Sequence, residues 1–64
     1  MKHDILIKAV HMPRYSVELY EVNTKYVIDV HQQDGKRIEM SSLFKDFNLI
    51  SHIFDLTVER LEGN

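Results

Sequence analysis

The chain has 64 residues, with 8 Lys and Arg against 10 Asp and Glu for a formal charge of −2, and it contains no cysteine. This length supports a single domain, residues 1–64, with a small core, and the missing cysteine excludes disulfides, thiolate zinc sites and thiol catalysis. The scattered charges form no basic patch for phosphates, and the apolar runs are too short for a membrane-spanning helix.

The first three predicted elements are β-strands. Residues 3–10 are rich in Ile, Leu and Val and end shortly before the single proline, which cannot donate to a sheet ladder. Residues 15–22 alternate apolar and polar side chains, and residues 25–32 repeat the alternation after the candidate two-residue turn Asn23-Thr24. With that turn, the apolar rows of the second and third strands coincide on one face, so this hairpin is self-consistent.

A fourth strand, residues 36–41, follows Gly35, and two loop lengths compete for this hairpin. A two-residue loop would set Val30 opposite Glu39, an apolar residue against a charged one. A three-residue loop ending at Gly35 sets Val30 opposite Ile38 instead and places the glycine where a positive φ is needed. We therefore predict the three-residue loop.

After the fourth strand the apolar period changes to that of an α-helix, predicted over residues 43–62. Side chains at spacings of three and four form one stripe, which contains Leu43, Phe47, Ile50, Phe54, Thr57 and Leu61. Ser41 or Ser42 is a candidate N-cap and Gly63 a candidate terminator, while a start several residues later stays open. The chain is thus predicted to be an α+β domain, an antiparallel β-meander of three to four strands with one C-terminal helix packed on one face.

A second apolar group lies beside this stripe and makes the helix apolar over about half of its circumference. The group contains Leu49, Ile53 and Leu56. One covering sheet requires a narrower stripe, so either the first strand folds across this side or a second copy of the chain covers it. Because a chain of this size needs stabilisation beyond its own core, we predict a homodimer that uses this group as its interface.

The predicted registers also define the sheet face that points away from the helix. They set Glu18, Asp29 and Glu39 in one row across three strands, and like charges directly opposite one another destabilise a sheet. Arg37, diagonal to Asp29, and water can screen this row; alternatively, the row receives a basic partner surface or a hard divalent cation. We predict that this face binds a partner through Glu18, Tyr20, Asp29, His31, Arg37 and Glu39.

Candidate catalytic and cofactor chemistry is scarce. The four histidines show no metal-ligand spacing, although His31 could join the neighbouring carboxylates in a weak metal site or a pH-sensitive pair. The sequence contains no glycine-rich phosphate loop and no nucleophile elbow. It therefore predicts no enzyme activity, no cofactor and no metal site.

The function that this predicted fold and its surfaces favour is that of a small homo-oligomeric protein-interaction or regulatory module. Asp4 and Lys8 interrupt the N-terminal segment, which lacks the cleavage pattern of a secretory signal, so a cytoplasmic location is expected. In layout, a three-stranded meander backed by a helix resembles integrase N-terminal DNA-binding domains, which implies a nucleic-acid reader that uses its sheet face. That face would offer Glu18, Asp29 and Glu39 to phosphates, with only Lys25 and Arg37 to compensate. The layout is also similar to HicB-type antitoxin domains, which implies an acidic inhibitor of a basic target site.

Overall fold

A computed structural model describes residues 4–41 and 43–63. The elements are β1 (Ile5–His11), β2 (Tyr15–Val22), β3 (Lys25–Gln32), β4 (Arg37–Met40) and α1 (Phe47–Glu62). The strands form an antiparallel sheet in the order β1-β2-β3-β4, and the helix packs against one face of it, which confirms the predicted α+β architecture. Residue 3, the predicted start of the first strand, and Ser42, a predicted N-cap, lie outside the described residues.

The hairpin of β2 and β3 forms as the alternation predicts. Asn23 and Thr24 have φ angles of 52° and 63°, as in the two-residue type I′ turn that suits the twist of paired strands. Val17 pairs with Val30 and Leu19 pairs with Ile28, and the alternation places these four side chains on the same face. This face supplies the sheet's half of the core.

The turn between β3 and β4 has the predicted three-residue loop. The backbone N–H of Gln32 donates to the carbonyl of Lys36 over 2.8 Å, and Gly35 has a φ of 89°. The first pair of the β3–β4 ladder, His31 with Arg37, is also the predicted one. The turn itself is therefore confirmed.

A β-bulge at Ile38 overturns the predicted register for the rest of β4. Ile38 is the extra residue, and after it Val30 pairs with Glu39. One step further, Asp29 pairs with Met40. The predicted pairs, Val30 with Ile38 and Asp29 with Glu39, are therefore wrong. Because side chains alternate across a strand, the bulge turns Glu39 to the helix side of the sheet and Met40 to the other side.

Two features of the chain favour the bulged register. The segment after β4 stays bound to β3, because the Ser41 N–H donates to the Ile28 carbonyl over 2.9 Å. Further along, Tyr26 and Phe44 exchange two backbone hydrogen bonds of 2.7 and 2.8 Å. An unbulged strand would also align Glu39 with two further carboxylates, an arrangement that destabilises a sheet.

The helix begins at Phe47, later than the predicted start at residue 43. Asp46 is the N-cap, because its carboxylate accepts from two backbone N–H groups of the first turn at 2.9 and 3.2 Å. The predicted cap Ser41 instead belongs to the segment bound to β3. Leu43 precedes the helix and is 52% exposed, so its predicted place in the core stripe is wrong. Gly63 ends the helix as predicted.

The core lies between one face of the sheet and the inner stripe of α1. Its buried members are Val17, Leu19, Ile28, Val30, Ile50 and Phe54. The Lys8 ammonium lies 4.8 Å from the centre of the Phe54 ring and 3.8 Å from the carboxylate of Asp55. These contacts hold one side of the helix against β1, so the opposite side of the helix faces β4.

Candidate functional site

The sheet face turned away from α1 carries a connected polar cluster. It contains five of the six predicted partner-binding residues: Glu18, Tyr20, Asp29, His31 and Arg37. Glu18 pairs with Asp29 across β2 and β3, and the next row of the ladder contains His31 and Arg37. The alternation along each strand places all five side chains on the same side of the sheet.

Asp29 is the centre of this cluster and is buried, with 8% of its surface exposed. Arg37 Nε lies 3.3 Å from Asp29 Oδ1, which confirms the predicted diagonal contact, and His31 Nε2 lies 3.8 Å from Oδ2. Oδ1 accepts no hydrogen bond from the described residues, so Arg37 compensates its charge as an ion pair without hydrogen-bond geometry.

Glu18 links the cluster to Tyr20. The Tyr20 hydroxyl donates to Glu18 Oε1 over 2.9 Å, and His31 Nε2 lies 3.6 Å from the same oxygen. Burial raises the pKa of the Tyr20 phenol, and the hydrogen bond to Glu18 together with the negative charges of Glu18, Asp29 and Asp4 raises it further. The phenol therefore remains a hydrogen-bond donor at neutral pH.

Glu39, the sixth predicted residue of this face, lies on the helix side of the sheet instead. Its carboxylate accepts from the Arg60 guanidinium of α1 over 2.8 Å. The cause is the bulge at Ile38, which places Met40 opposite Asp29 in the position predicted for Glu39. The predicted row of three carboxylates is therefore wrong, and the row contains two.

The polar cluster has the chemistry of a contact surface. Within residues 4–41 and 43–63, no three His, Asp or Glu side chains are grouped so that they could hold a metal ion. The alternative of a metal site at His31 thus finds no support in this part of the chain. His31 lies between the carboxylates of Glu18 and Asp29, with Nε2 at 3.6 Å from the first and 3.8 Å from the second.

The predicted dimer group lies on the side of α1 that faces β4. Leu49 and Leu56 are 46% and 49% exposed, whereas Ile53 is partly buried against the core. The first strand does not cover this side of the helix, in contrast to the alternative prediction, because Lys8 of β1 contacts the opposite side. The two leucines therefore leave about half of their surface open to water.

A groove of about 480 Å³ lies between this side of α1 and β4. Ile28 and Val30 of β3 line it from the core, Ile53 and Thr57 line it from the helix, and Ile38 lines it from β4. The helix packs over β2 and β3, so β4 lies to one side of it. Glu39, Met40 and Ser41 complete the lining, so most but not all of the lining residues are apolar. The exposed leucines lie beside this groove on the helix.

Sequence reasoning missed two residues of this surface, Ile38 and Arg60. Ile38 reaches the groove because it is the bulge residue, and the alternation of β4 contains no signal for that bulge. Arg60 could have been found, because at 100° per residue it lies about 20° from the direction of Leu49 on the helix.

No known protein family, curated protein or solved structure matches the chain. In the part of the chain that the structure describes, no helix combines the length and the apolar character needed to cross a membrane. A proposal for the function therefore rests on the two surfaces, the polar cluster on the sheet and the apolar surface beside α1.

Proposed function

We propose that the chain is a small protein-interaction module that associates with itself through the side of α1 facing β4 and has no catalytic activity. The observation that carries this proposal is the pair of half-exposed leucines, Leu49 and Leu56, beside an apolar groove. A continuous exposed apolar patch is typical of a protein contact site, whereas single exposed apolar residues are ordinary.

The energetics of association indicate how much of this surface must be covered. Burying a fully exposed Leu gives about 1.5–3 kcal/mol, so covering the exposed halves of Leu49 and Leu56 in both chains gives about 3–6 kcal/mol. Association costs roughly 4–15 kcal/mol in lost freedom of motion. The two leucines are therefore insufficient alone, and a stable contact must also cover the groove.

The outer sheet face is proposed as a second surface, for a different protein that presents basic or hydrogen-bonding groups to Glu18 and Asp29. A nucleic-acid partner is less favoured, because Arg37, a cation of this face, is already paired with Asp29. An acidic inhibitor of a basic target is a narrower form of the same proposal. It loses support because Glu39 is turned to the helix side.

Sedimentation velocity tests the self-association. We expect a dimer at roughly 10–100 µM protein, well above the Kd of a micromolar interface. Leu56→Asp should be monomeric with an unchanged circular dichroism spectrum, because an unpaired carboxylate cannot be buried in an apolar contact without a large cost. Asn48→Asp adds the same charge about 80° around the helix and should stay dimeric. A wild-type protein that sediments as a monomer over this range would refute the proposal.

A further inference from the structure

The exposed side of α1 carries a regular line of side chains with opposite charges at its ends. Asp46, Leu49, Ile53, Leu56 and Arg60 follow one another at spacings of three, four, three and four residues. This is the heptad spacing with which two helices interlock their side chains along a common seam. The centre of the seam is apolar, one end carries the Asp46 carboxylate, and the other end carries the Arg60 guanidinium with its partner Glu39.

Resting on the self-association proposed above, we propose that the occupant of this surface is α1 of a second copy, packed antiparallel about a two-fold axis near Ile53. Leu49 of each chain then packs on Leu56 of the second copy, and Arg60 of each chain lies beside Asp46 of the second copy. Such a contact uses the same patch on both chains, as two-fold symmetry requires.

Charge complementarity selects the antiparallel arrangement. A parallel pair would bring Asp46 next to its own copy and Arg60 next to its own copy, and like charges at contact distance repel. In the antiparallel pair each Asp46 carboxylate lies beside the Arg60 guanidinium, which is then shared between Asp46 and Glu39. The helix dipoles also run in opposite directions.

Both end groups have bonding capacity left for this contact. The two capping hydrogen bonds of Asp46 end on Oδ1, and the described contact of the Arg60 guanidinium with Glu39 uses one Nη atom. A guanidinium carries five N–H donors, so Arg60 can bind Glu39 and a second carboxylate together.

The sheet leaves room for the second helix. The helix α1 packs over β2 and β3, and since neighbouring strands are about 4.8 Å apart, β4 lies about 7 Å to the side of the helix axis. Paired helices are separated by about 8–10 Å. A second helix on this side therefore lies against the open groove and leaves α1 in place.

Disulfide formation between single-cysteine variants tests the arrangement, and the chain has no native cysteine to interfere. In the antiparallel pair, two copies of position 49 lie about 10 Å apart along the helices, beyond the Cα separation of about 4.4–6.8 Å in a disulfide. The same holds for position 56. A mixture of Leu49→Cys and Leu56→Cys, in contrast, brings the two thiols face to face. After mild oxidation we expect a linked dimer in the mixture and none in either variant alone.

The controls separate this inference from the proposed function. Asn48→Cys mixed with Leu56→Cys should stay unlinked, and circular dichroism should show that every variant is folded. Linked dimers within a single variant would indicate parallel helices and overturn the arrangement, while self-association would stand. A sedimenting dimer without any of these links would place the interface elsewhere and overturn the inference alone. A monomeric protein would overturn both.

Discussion

Three residues in the hairpin turns have a positive φ: Asn23, Thr24 and Gly35. Asn and Gly tolerate this region of the backbone, whereas a β-branched residue rarely adopts it. Thr24 is held there because the two-residue turn between β2 and β3 needs positive φ at both positions. The alternation of the flanking strands thus predicts the turn more reliably than its own residues do.

Gly35 allows a direct test of the second turn. Gly35→Val should lower the free energy of unfolding by roughly 1 kcal/mol or more, because a β-branched residue is strained at positive φ. A Cβ at this position would meet no atom within 4 Å, so the expected loss is backbone strain and not a steric clash. Urea unfolding measures the change, and Gly35→Asn should lose less because Asn tolerates positive φ. Equal losses for both variants would contradict this origin.

The raised pKa of Tyr20 gives the fold a dependence on alkaline pH. Because the folded pKa exceeds the unfolded value of about 10, this group's contribution to stability is fully present below pH 10 and is lost as pH rises through the folded pKa. We expect a shallower alkaline loss of stability for Tyr20→Phe, and an intermediate loss for Glu18→Gln, which removes the charge but keeps an acceptor. Denaturant unfolding at a series of alkaline pH values measures the slopes. Identical slopes in all three proteins would count against the shift.

At the level of elements, the sequence predicted the first hairpin and the loop of the second. The rows of Val17 and Leu19 in β2 and of Ile28 and Val30 in β3 coincide on one face only in the register that the two-residue turn sets. The same reasoning failed in β4, because it assumed an uninterrupted ladder and so aligned Ile38 with Val30. The bulge depends on contacts outside the strand, including the pairing of Tyr26 with Phe44 and the ion pair of Glu39 with Arg60.

The helix boundary shows a second limit of periodicity. Leu43 fits the helical spacing by coincidence, whereas the start is set by Asp46, whose carboxylate caps the first turn. Asp46→Ala should therefore lower the free energy of unfolding by about 1 kcal/mol. Asp46→Ser should lower it much less, because a serine hydroxyl can also accept from the N–H groups of the first turn. Urea unfolding of both variants in a Leu56→Asp background excludes any effect on self-association. Equal stability of the Ala and Ser variants would contradict the capping role.

At the level of the whole molecule, one helix covers only part of a four-stranded sheet, so the stable core is small. Phe54→Ala should lower the free energy of unfolding by about 3–5 kcal/mol, a large part of the stability of a small domain. Leu43→Ala should cost less than about 1 kcal/mol, because Leu43 is 52% exposed and lies outside the helix. Thermal unfolding measures both. A large loss for Leu43→Ala would restore it to the core.

The candidate site contains contacts within one hairpin, which the sequence can predict, and a groove that depends on how the helix packs on the sheet, which it cannot. The sequence predicted the contact of Asp29 with Arg37, because the two residues lie close to a turn whose geometry was correctly inferred. It did not predict the groove, because the groove exists only where the helix passes over β2 and β3 and leaves β4 uncovered.

The bulge also has a consequence for how this chain can vary through evolution. Ile38 is skipped in the ladder, while Arg37 and Glu39 on either side of it pair with the consecutive residues His31 and Val30. Loss of this one residue would leave all of these pairs as they are, whereas loss of a residue from a strand without a bulge would exchange the two faces beyond the gap. Relatives of this chain should therefore tolerate a one-residue gap at position 38 and keep the polar cluster, with the loss of one apolar side chain from the groove. Their alignments should place length variation in β4 there.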